Sequence, residues 1–464
     1  MPNDAAIAEL KALLGDRLST STAERTQHGR NETWYPVTPP EAVAWPDTTQ
    51  EVSEILKICH RHRCPVTAYG AASSLEGQHL ALHGGISLDM TRMNRVLAIQ
   101  PEDLTCVVQP GLTRKALNAA LRDTGLFFSV DPGADASIGG MAATRASGTT
   151  AVRYGTIRDN VLAVEAVMAD GTVIRSGTRA RKSATGYDLT HLMIGSEGTL
   201  GILTELTLKL HGQPECITAA TCRFEDVQQA VACVIATIQC GILMARIELL
   251  DHMMVRGFNA YANAGLPEEP HLFLEFHGAP AAVAEQMASF EEIAQDHGGR
   301  GWRTATTTED RTALWAMRHN AHYASAALGK GKHILPTDVC VPISHLAEAI
   351  AQSQADAQRL GLTATIVGHV GDGNFHAGLS VDPNDPGEMA RAQAFTHALG
   401  ETALRLGGTV SGEHGIGIGK QDFMTAEHGP ALAYMRAIKQ AFDPLGILNP
   451  GKLLPPEHVA RAAE

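Results

Sequence analysis

The sequence predicts an α+β protein built from two or three structural units, and three observations support this prediction. The chain has 464 residues, which exceeds the usual length of one domain. Hydrophobic residues make up 44% of it and glycine occurs 45 times, a composition typical of a folded enzyme rather than a disordered chain. Short strands and small-residue loops fill the first half, whereas longer alternating strands and helices fill the second half.

The first half begins with an amphipathic helix, after which short strands alternate with loops. The spacing of apolar residues predicts this helix over residues 4–15. Thr48 and Thr49 suit the cap of a second helix, and the turn Ala169-Asp170-Gly171 predicts a hairpin over residues 161–174. Further strands are predicted at residues 65–69, 86–89, 105–108 and 203–210. We place a domain boundary after the last of these strands.

In the second half, strands and helices alternate as two weakly repeated βαβ-type units, which predicts a sheet with helices on one face. Strands are predicted at residues 217–223, 245–250, 271–277, 337–342 and 363–370. Helices are predicted at residues 226–239, 281–295, 345–360, 387–406 and 430–442.

Charge and composition limit the classes of partner. The net charge is −13 and no basic stripe is present, which argues against nucleic acid as a partner and against a polybasic membrane anchor. The 8 cysteines form no C-x-x-C pair, so reduced thiols in a reducing compartment are expected. The start of the chain lacks a signal-peptide pattern, and the longest apolar run, 232–245, is too short for a transmembrane segment. We therefore expect a cytoplasmic protein, with peripheral docking at the inner membrane as the alternative.

The clearest chemical pattern is a pair of histidines on either side of an Asp-Gly turn. If Asp372 and Gly373 form a type I′ hairpin, His369 lies directly opposite His376. Opposed residues have Cβ atoms roughly 4.5–5.5 Å apart. Two imidazoles at that separation can share a metal ion with bonds of roughly 2.0–2.1 Å. Glu413 is a candidate third ligand, which would leave the open coordination position that marks a catalytic site.

His414 follows the candidate ligand Glu413 and is not needed by the metal, so it would be free to move a proton. The alternative interpretation is a solvated hairpin with incidental histidines, because the chain contains 21 of them.

Three loops of the first half, at residues 70–77, 131–156 and 195–202, consist mainly of glycine, alanine and serine. Such loops let the backbone approach a ligand closely, and their N–H groups can bind a phosphate without a cationic side chain. None of them forms the G-x-G-x-x-G unit of a Rossmann site or contains a Walker A lysine. Any one of these loops could simply be a turn, but the occurrence of three in one half of the chain favours a binding site for a large extended ligand.

These stretches resemble a known family across about residues 50–455. The first half resembles the vanillyl-alcohol-oxidase-type (PCMH-type) FAD-binding domain in GAASSLEG (70–77), PGADASIGGMAATRASGTTAVRYGT (132–156) and GYDLTHLMIGSEGTLGI (186–202). The second half resembles the FAD-linked D-2-hydroxy-acid dehydrogenases, especially the cytochrome-type D-lactate dehydrogenases, in LWAMRHNAHYA (314–324), TDVCVPISHL (337–346), GHVGDGNFH (368–376), SGEHGIGIGK (411–420) and GILNPGKLL (446–454). Many separate motifs occur in the family's order.

The resemblance implies a domain order. It implies an N-terminal helix and arm (1–36), a two-part PCMH-type FAD-binding domain (37–213) and a substrate or cap domain (214–425). The cap domain would contain a large, mainly antiparallel sheet covered by helices and the metal site. The C-terminal segment (426–464) would return to the FAD domain.

The resemblance also assigns FAD binding to residues of the three loops. The first loop would hold the pyrophosphate, the second the region between the diphosphate and the flavin, and the third the adenine and ribose side. The residues are Gly70, Ala71, Ala72, Ser73, Ser74, Leu75, Pro132, Gly133, Ser137, Ile138, Gly140, Ala142, Ser147, Gly148, Tyr154, Glu197, Gly198 and Ile202. Ala72 stands where the family pattern has a glycine that adopts positive φ. No histidine aligns with a covalent attachment point, so non-covalent FAD is expected.

For the second half, the resemblance implies that His369, His376 and Glu413 bind a divalent metal, either zinc or manganese, with iron as a further option. It implies that His414 is the catalytic base and that Arg318 binds the substrate carboxylate, for which a guanidinium is well shaped. The metal would acidify the 2-hydroxyl group, and the hydride would pass from C2 to the flavin.

The implied substrate is a small D-2-hydroxy acid. Relatives that act on 2-hydroxyglutarate carry additional polar groups, at positions that here hold Gly378 and Pro336-Thr337. This difference favours D-lactate, or an acid with a larger apolar tail, over 2-hydroxyglutarate; glycolate is a further alternative. The electron acceptor would be a quinone, a cytochrome or an electron-transfer flavoprotein, and the sequence permits a homodimer. Two other classes fit parts of the pattern: a metal-dependent hydrolase, and a non-catalytic flavin-binding subunit.

Overall fold

The structure is a computed structural model that describes residues 3–329 and 331–456. The predicted terminal segments 1–36 and 426–464 extend beyond these residues at positions 1–2 and 457–464. The α-helices are α1 (Asp4–Leu14), α2 (Thr22–His28), α3 (Thr49–His62), α4 (Arg114–Ala120), α5 (Ile138–Thr144), α6 (Ala151–Tyr154), α7 (Ile157–Asn160), α8 (Leu189–Met193), α9 (Val227–Gln239), α10 (His252–Ala262), α11 (Pro280–Asp296), α12 (Thr308–His319), α13 (Ala321–Leu328), α14 (Leu346–Leu360), α15 (Pro386–Arg405), α16 (Met424–His428) and α17 (Ala431–Phe442).

The strands are β1 (Leu18–Ser19), β2 (Ala42–Ala44), β3 (Val66–Tyr69), β4 (Ile86–Asp89), β5 (Val96–Gln100), β6 (Thr105–Val108), β7 (Leu126–Phe127), β8 (Val161–Val167), β9 (Val173–Gly177), β10 (Ile202–Lys209), β11 (His211–Gly212), β12 (Cys216–Arg223), β13 (Met244–Leu250), β14 (His271–Gly278), β15 (Arg300–Ala305), β16 (His333–Pro336), β17 (Val339–Cys340), β18 (Thr363–His369) and β19 (Asn374–Val381). Short 3₁₀ turns occupy Gly15–Arg17, Met90–Arg92, Pro101–Asp103, Arg122–Thr124, Ile343–His345 and Gln421–Phe423.

The first half contains two main sheets and a short antiparallel pair formed by β7 and β11. A 4-stranded sheet has the order β1-β2-β4-β3, with β2, β4 and β3 parallel to one another. The buried side of α3 packs into the same hydrophobic core as this sheet, and the Thr48 side chain caps the helix by accepting a hydrogen bond from the Glu51 backbone, as predicted. A 5-stranded antiparallel sheet, β5-β6-β10-β8-β9, forms its own core. This arrangement confirms the two-part FAD-binding fold.

The second half is built on an 8-stranded sheet whose main order is β15-β12-β14-β13-β18-β19-β16, with β17 beside β19. All of its strand pairs are antiparallel. Since β14 lies between β12 and β13, the predicted βαβ units are of the split type. Apolar residues alternate to one face, where they form a core with α9, α11, α14 and α15. The opposite face carries polar residues and a smaller core with α10, α12 and α13.

The two halves are joined by polar contacts and by the C-terminal segment. Arg246 Nη2 of β13 donates to Asp131 Oδ2 at 3.1 Å, and the Tyr154 hydroxyl lies 2.7 Å from His277 Nδ1. Lys439 of α17 donates to the Thr199 carbonyl of the first half at 2.7 Å. These contacts confirm that the C-terminal helix returns to the FAD domain.

Several elements differ from the sequence prediction. Strand β5, helix α10 and strand β15 were not predicted. Strand β15 is an edge strand with mostly exposed residues and two arginines, so it lacks the alternating apolar pattern of a half-buried strand. The strand predicted over 337–342 is only the short β17, because the chain before it pairs separately as β16. No helix of the described residues is both long and apolar enough to cross a membrane.

Candidate active site

A cavity of about 870 Å³ lies between the loops of the first half and the polar face of the large sheet. Most of the predicted FAD-binding residues line it, and so do all five predicted reaction-side residues. The lining cofactor residues are Gly70, Ala71, Ala72, Ser73, Ser74, Leu75, Pro132, Gly133, Ser137, Gly140, Glu197, Gly198 and Ile202. The lining reaction-side residues are Arg318, His369, His376, Glu413 and His414.

The remaining predicted cofactor residues lie behind the cavity lining. Ile138 and Ala142 are fully buried in the core under helix α5, so their side chains pack the loop rather than face the cavity. Ser147 and Gly148 are not among the lining residues; a Cβ on Gly148 would lie 2.5 Å from the Asp131 backbone. Tyr154 instead contacts His277 of the large sheet.

The cofactor side of the cavity is shaped by backbone. Ala72 has φ +56° and Gly198 has φ +70°, so both loops use left-handed conformations, in one case with an alanine. A Cβ on Gly70 would lie 2.4 Å from Ser137 Oγ, which shows how closely the first and second loops approach each other. Within residues 3–329 and 331–456, Arg318 is the one arginine that lines the cavity, and no lysine lines it. Any phosphate here would therefore be bound by N–H and hydroxyl groups.

Glu197 connects the third loop to the segment that carries Glu413 and His414. Its side chain is buried and accepts hydrogen bonds from the backbone N–H groups of Ile416 at 2.7 Å and Gly417 at 2.9 Å. Burial raises the pKa of Glu197 to about 7, against the opposing effect of these hydrogen bonds. The loop that borders the cofactor side is thus tied directly to the reaction side.

The hairpin prediction for 369–376 is wrong in its register. His369 pairs with Asn374, and His376 pairs with Val367, so the two histidines are diagonal neighbours on one face rather than opposed residues. A type I′ turn needs positive φ at both central residues, but only Gly373 adopts it. The longer loop is held from outside, because Val341 N donates to the Gly373 carbonyl at 3.0 Å.

The diagonal arrangement still brings the three predicted ligands together. Nε2 of His369 lies 3.3 Å from Glu413 Oε1, and Nε2 of His376 lies 3.2 Å from the same oxygen. One potential ligand atom from each residue lies within 4.8 Å of the others. Two ligands of a tetrahedral ion with bonds of roughly 2.0–2.1 Å are about 3.3 Å apart, so these separations fit a first-row divalent cation.

Hydrogen bonds on the far side of each ring favour the tautomer that a metal needs. His369 Nδ1 lies 2.6 Å from Glu248 Oε1, and His376 Nδ1 lies 3.1 Å from the Thr337 carbonyl. Both partners are acceptors, so each Nδ1 carries a proton, and Nε2 is the nitrogen that is left to bind a metal. Glu413 Oε2 is buried without a hydrogen-bond partner. This donor set of two nitrogens and a carboxylate fits zinc, manganese or iron.

His414 stacks on His376, with ring centroids 5.1 Å apart and planes 12° from parallel. Its Nδ1 is buried and has no hydrogen-bond partner. Desolvation lowers the pKa of His414 to about 4, although Asp338 acts in the opposite direction. The ring is therefore neutral at neutral pH and able to accept a proton, with a pKa below the near-neutral value that its predicted role suggests.

Asp338 holds the segment that carries Glu413 and His414. Its Oδ2 accepts hydrogen bonds of 3.0 Å from the backbone N–H groups of Glu413 and His414. Lys420 is buried and donates to the Asp338 carbonyl oxygen at 2.8 Å. Burial opposes ionisation of Asp338, but Lys420 and the nearby histidines hold its pKa well below the usual value. Lys420 is therefore an anchor of this segment.

Glu248 is a site residue that the sequence analysis did not identify. It is fully buried on β13, where it bonds His369 with one oxygen and Arg318 Nε with the other, at 2.7 Å. The available signal was the alternation Arg246-Ile247-Glu248-Leu249, which puts charges on one face of a central strand. No other hydrogen bond or ion pair involves the Arg318 side chain within the described residues, so its terminal nitrogens are available to a ligand.

Comparison with known proteins gives matches over both halves. Residues 40–177 match a family described as "FAD binding domain", and residues 213–453 match "FAD linked oxidases, C-terminal domain". A zebrafish (Danio rerio) protein named "Probable D-lactate dehydrogenase, mitochondrial" is 47% identical, covering 97% of this chain and 91% of its own length. The Arabidopsis thaliana "D-lactate dehydrogenase [cytochrome], mitochondrial" is 44% identical, covering 97% and 80%.

A more distant relative is "Glycolate oxidase subunit GlcD" of Escherichia coli K12, at 34% identity with 92% of this chain and 86% of the relative covered. A solved structure of p-cresol methylhydroxylase has a TM-score of 0.79 at 19% identity, covering 98% of this chain and 97% of that one. An alkyldihydroxyacetonephosphate synthase structure has a TM-score of 0.76 at 20% identity, covering 97% and 86%. At these identities the structures confirm the PCMH-type fold alone.

The prediction of a cytoplasmic location is wrong. The zebrafish and Arabidopsis relatives, together with those from two yeasts, are all named as mitochondrial proteins. That prediction was based on the cysteines, the short apolar run and the start of the sequence, and none of these features distinguishes the cytoplasm from another reducing compartment.

Proposed function

Because this chain belongs to the family of FAD-linked oxidases that includes the D-lactate dehydrogenases, we propose that it oxidises a D-2-hydroxy monocarboxylic acid with FAD and a divalent metal. D-Lactate, with pyruvate as its product, is the first candidate. One observation carries the proposal: an arginine, a His-His-Glu donor set and a neutral histidine line the same cavity as the three loops for which flavin binding is predicted.

FAD held non-covalently by the three loops would supply a flavin ring that accepts a hydride from C2 of the acid. A divalent cation held by His369, His376 and Glu413 would supply Lewis acidity that makes the 2-hydroxyl proton easier to remove. The remaining work falls to side chains of this chain.

Arg318 would bind the substrate carboxylate. Its Nε is used by Glu248, which fixes the plane of the guanidinium and leaves the terminal nitrogens for the ligand. A planar guanidinium can pair with a carboxylate through two parallel hydrogen bonds, so it sets the orientation of the acid as well as its affinity. Orientation determines which face of C2 is presented to the flavin loops.

His414 would accept the hydroxyl proton. It is neutral and its Nδ1 is buried without a partner, which makes that nitrogen an available acceptor. The backbone of His414 is fixed by Asp338, so the base is held in place while it takes up the proton. The neighbouring His376 and Lys420 disfavour the charged ring, which would help His414 release the proton afterwards.

A monocarboxylate suits the lining better than 2-hydroxyglutarate. Among the described residues that line the cavity, Arg318 is the one arginine and there is no lysine, so a second carboxylate would find no further arginine or lysine there. Gly378 and Pro336 line the cavity, and apolar side chains such as Ile334 and Val367 lie beside them. This end of the cavity supports D-lactate or a D-2-hydroxy acid with a larger apolar tail.

The reduced flavin then needs an electron acceptor. We propose that a cytochrome be tested first, because the Arabidopsis relative carries that acceptor in its name. A quinone and an electron-transfer flavoprotein are the alternatives, and an assay with each of the three acceptors separates them.

The test is anaerobic bleaching of the flavin absorbance by paired D- and L-2-hydroxy acids. The panel contains lactate, 2-hydroxybutyrate, 2-hydroxyisocaproate and 2-hydroxyglutarate, with glycolate as an achiral member. We expect bleaching by the D forms of the monocarboxylates, with the L forms and D-2-hydroxyglutarate at least about 100-fold slower, a difference of about 2.7 kcal/mol. Purified protein without flavin absorbance would contradict the proposal and favour a metal-dependent hydrolase. Bound flavin that none of the acids reduces would contradict it too and would favour a non-catalytic flavin-binding subunit.

A further inference from the structure

Glu248 makes two contacts that reach opposite sides of the candidate reaction centre. Its side chain has 0% exposure and lies on β13, directly across from His369 in the β13–β18 pair. Oε1 lies 2.6 Å from His369 Nδ1, and Oε2 accepts a hydrogen bond of 2.7 Å from Arg318 Nε. One carboxylate therefore touches a residue from the candidate metal triad and the residue that would bind the substrate carboxylate.

We propose that Glu248 is a positioning residue that sets the tautomer of His369 and the orientation of Arg318 at the same time. The inference rests on the proposed function for the roles of its two partners. Neither contact is with substrate or cofactor, so Glu248 would act only through His369 and Arg318.

The chemistry of a carboxylate explains why one residue can do both. An ionised carboxylate only accepts hydrogen bonds, so His369 must carry a proton on Nδ1, which leaves Nε2, the nitrogen facing Glu413, as the one that could bind a metal. The second oxygen binds the guanidinium of Arg318 through Nε, which fixes the fork formed by its other nitrogens. A fully buried charge with these two donors is well compensated, whereas removal of either donor is costly.

An amide of the same shape cannot keep both contacts. Glutamine at position 248 would offer one oxygen and one N–H₂ group in place of two oxygens. The oxygen would go to the charged Arg318, because a charged donor makes the stronger hydrogen bond. The N–H₂ group would then face His369 Nδ1 and favour the tautomer with hydrogen on Nε2, which cannot bind a metal.

Glu275 provides a matched control. It is a buried carboxylate on the adjacent strand β14 and accepts hydrogen bonds from Trp315 Nε1 and His277 Nε2. Through Trp315 it contacts helix α12, the helix that carries Arg318, but neither His369 nor Arg318 is its partner. Glu275→Gln thus introduces the same chemical change on the same face without touching the two residues of interest.

The experiment compares flavin-loaded wild-type protein with Glu248→Gln and Glu275→Gln. Zinc affinity is measured by competition with a chromogenic chelator. The affinity for propionate, a carboxylate without a hydroxyl group, is measured from the change in the oxidised flavin spectrum. For Glu248→Gln we expect zinc affinity to fall about 10–100-fold and propionate affinity to fall less than zinc affinity. For Glu275→Gln we expect both to stay within about twofold.

The proposal would be overturned if Glu248→Gln bound zinc as tightly as the wild type does. It would also be overturned if Glu275→Gln lost as much zinc affinity as Glu248→Gln, or if the wild type bound no zinc. If Glu248→Gln does not retain flavin, Glu248→Asp is used with the same readouts; it keeps the charge but is too short to reach both partners. Neither readout needs turnover. The two proposals can therefore fail separately. If Glu248→Gln lowers zinc affinity but no 2-hydroxy acid reduces the flavin of the wild type, the role of Glu248 is supported and the proposed function is contradicted.

Discussion

The loops of the first half and the sheet face of the second half line the same cavity with different kinds of groups. On the cofactor side, most of the loop residues that line the cavity are small, three lining residues have positive φ, and none of the described ones is an arginine or a lysine. On the reaction side, the lining includes one arginine, five histidines and Glu413, and the buried carboxylates of Glu248 and Asp338 support this cluster from behind. One region presents backbone to its ligand and the other presents side chains.

This difference indicates how each region responds to change. A backbone surface depends on conformation, so substitutions there act through steric fit and φ preference, with effects of about 1 kcal/mol where the fold tolerates them. In a cluster of buried charges, each charge is compensated by its partners. Removal of one group leaves the others unpaired and costs several kcal/mol of folding stability. The following predictions test that contrast, from the largest expected effect to the smallest.

The largest effect is expected at Arg318. Arg318→Leu removes the one guanidinium that lines the cavity and leaves Glu248 with a single partner. We expect kcat/KM for D-lactate to fall at least about 10³-fold, which is about 4 kcal/mol of transition-state stabilisation. Steady-state assays with an artificial acceptor measure it, and flavin content is the control. Retention of more than a tenth of the activity would mean that Arg318 does not bind the carboxylate.

Asp338→Asn should loosen the segment that carries Glu413 and His414. Three donors converge on Asp338 Oδ2, the third being the Ser411 hydroxyl at 3.0 Å. Asn374 Nδ2 donates to the other oxygen, Oδ1, at 2.7 Å. An amide would therefore turn its N–H₂ group toward donors on one side or the other, and we expect a loss of about 3 kcal/mol in the free energy of unfolding. Chemical denaturation measures this loss. Asp123→Asn, at an exposed position, is the control, and we expect it to change stability by less than about 0.5 kcal/mol.

Glu197 should make stability depend on pH. Its pKa in the folded chain is about 7, above the ordinary glutamate value of 4.5, so the folded protein keeps a proton that the unfolded chain has released. The stability from this group is therefore fully present below pH 4.5 and is lost as pH rises toward 7. Relative to Glu197→Gln, which cannot titrate, the wild type should lose up to about 3 kcal/mol across that window. Unfolding curves measured at intervals from pH 5 to pH 8 check this, and a constant difference would contradict it.

The smallest effect is expected on the backbone side. Ala72 has φ +56°, a conformation that costs an alanine about 1 kcal/mol. Ala72→Gly should therefore stabilise the protein by about 0.5–1 kcal/mol without weakening FAD binding. Ala71→Gly is the matched control, because Ala71 is not among the residues with positive φ, and it should be slightly destabilising. Thermal unfolding and FAD titration measure both, and equal effects of the two changes would contradict the explanation.

The contrast also explains what the sequence could reveal. The three loops were predicted to bind an extended ligand because small residues occur there in continuous stretches, and the resemblance then assigned FAD to them. Only the resemblance pointed to positive φ at position 72, because an alanine gives no local sign of that conformation. Residues such as Ile138 and Ala142 belong to the matching stretch but face the core, since helix α5 turns them away from the cavity.

On the reaction side, the residue types predicted the grouping but not its geometry. The register of His369 and His376 depends on Val341, which holds the Gly373 end of the loop from outside the hairpin. Glu248 meets His369 only because β13 and β18 are neighbours, although the two residues are 121 positions apart. Contacts of that kind follow from strand order, which local patterns do not determine.

The most direct test of the central claim is rapid mixing of anaerobic, flavin-loaded protein with D-lactate, before and after removal of bound metal with a chelator. We expect fast loss of the flavin absorbance in the untreated protein and at least about a 100-fold slower loss in the stripped protein, with recovery on adding zinc or manganese. His376→Ala should behave as the stripped protein does and should not recover. Equal reduction rates with and without metal would contradict the account, because the His-His-Glu group would then have no part in the reaction.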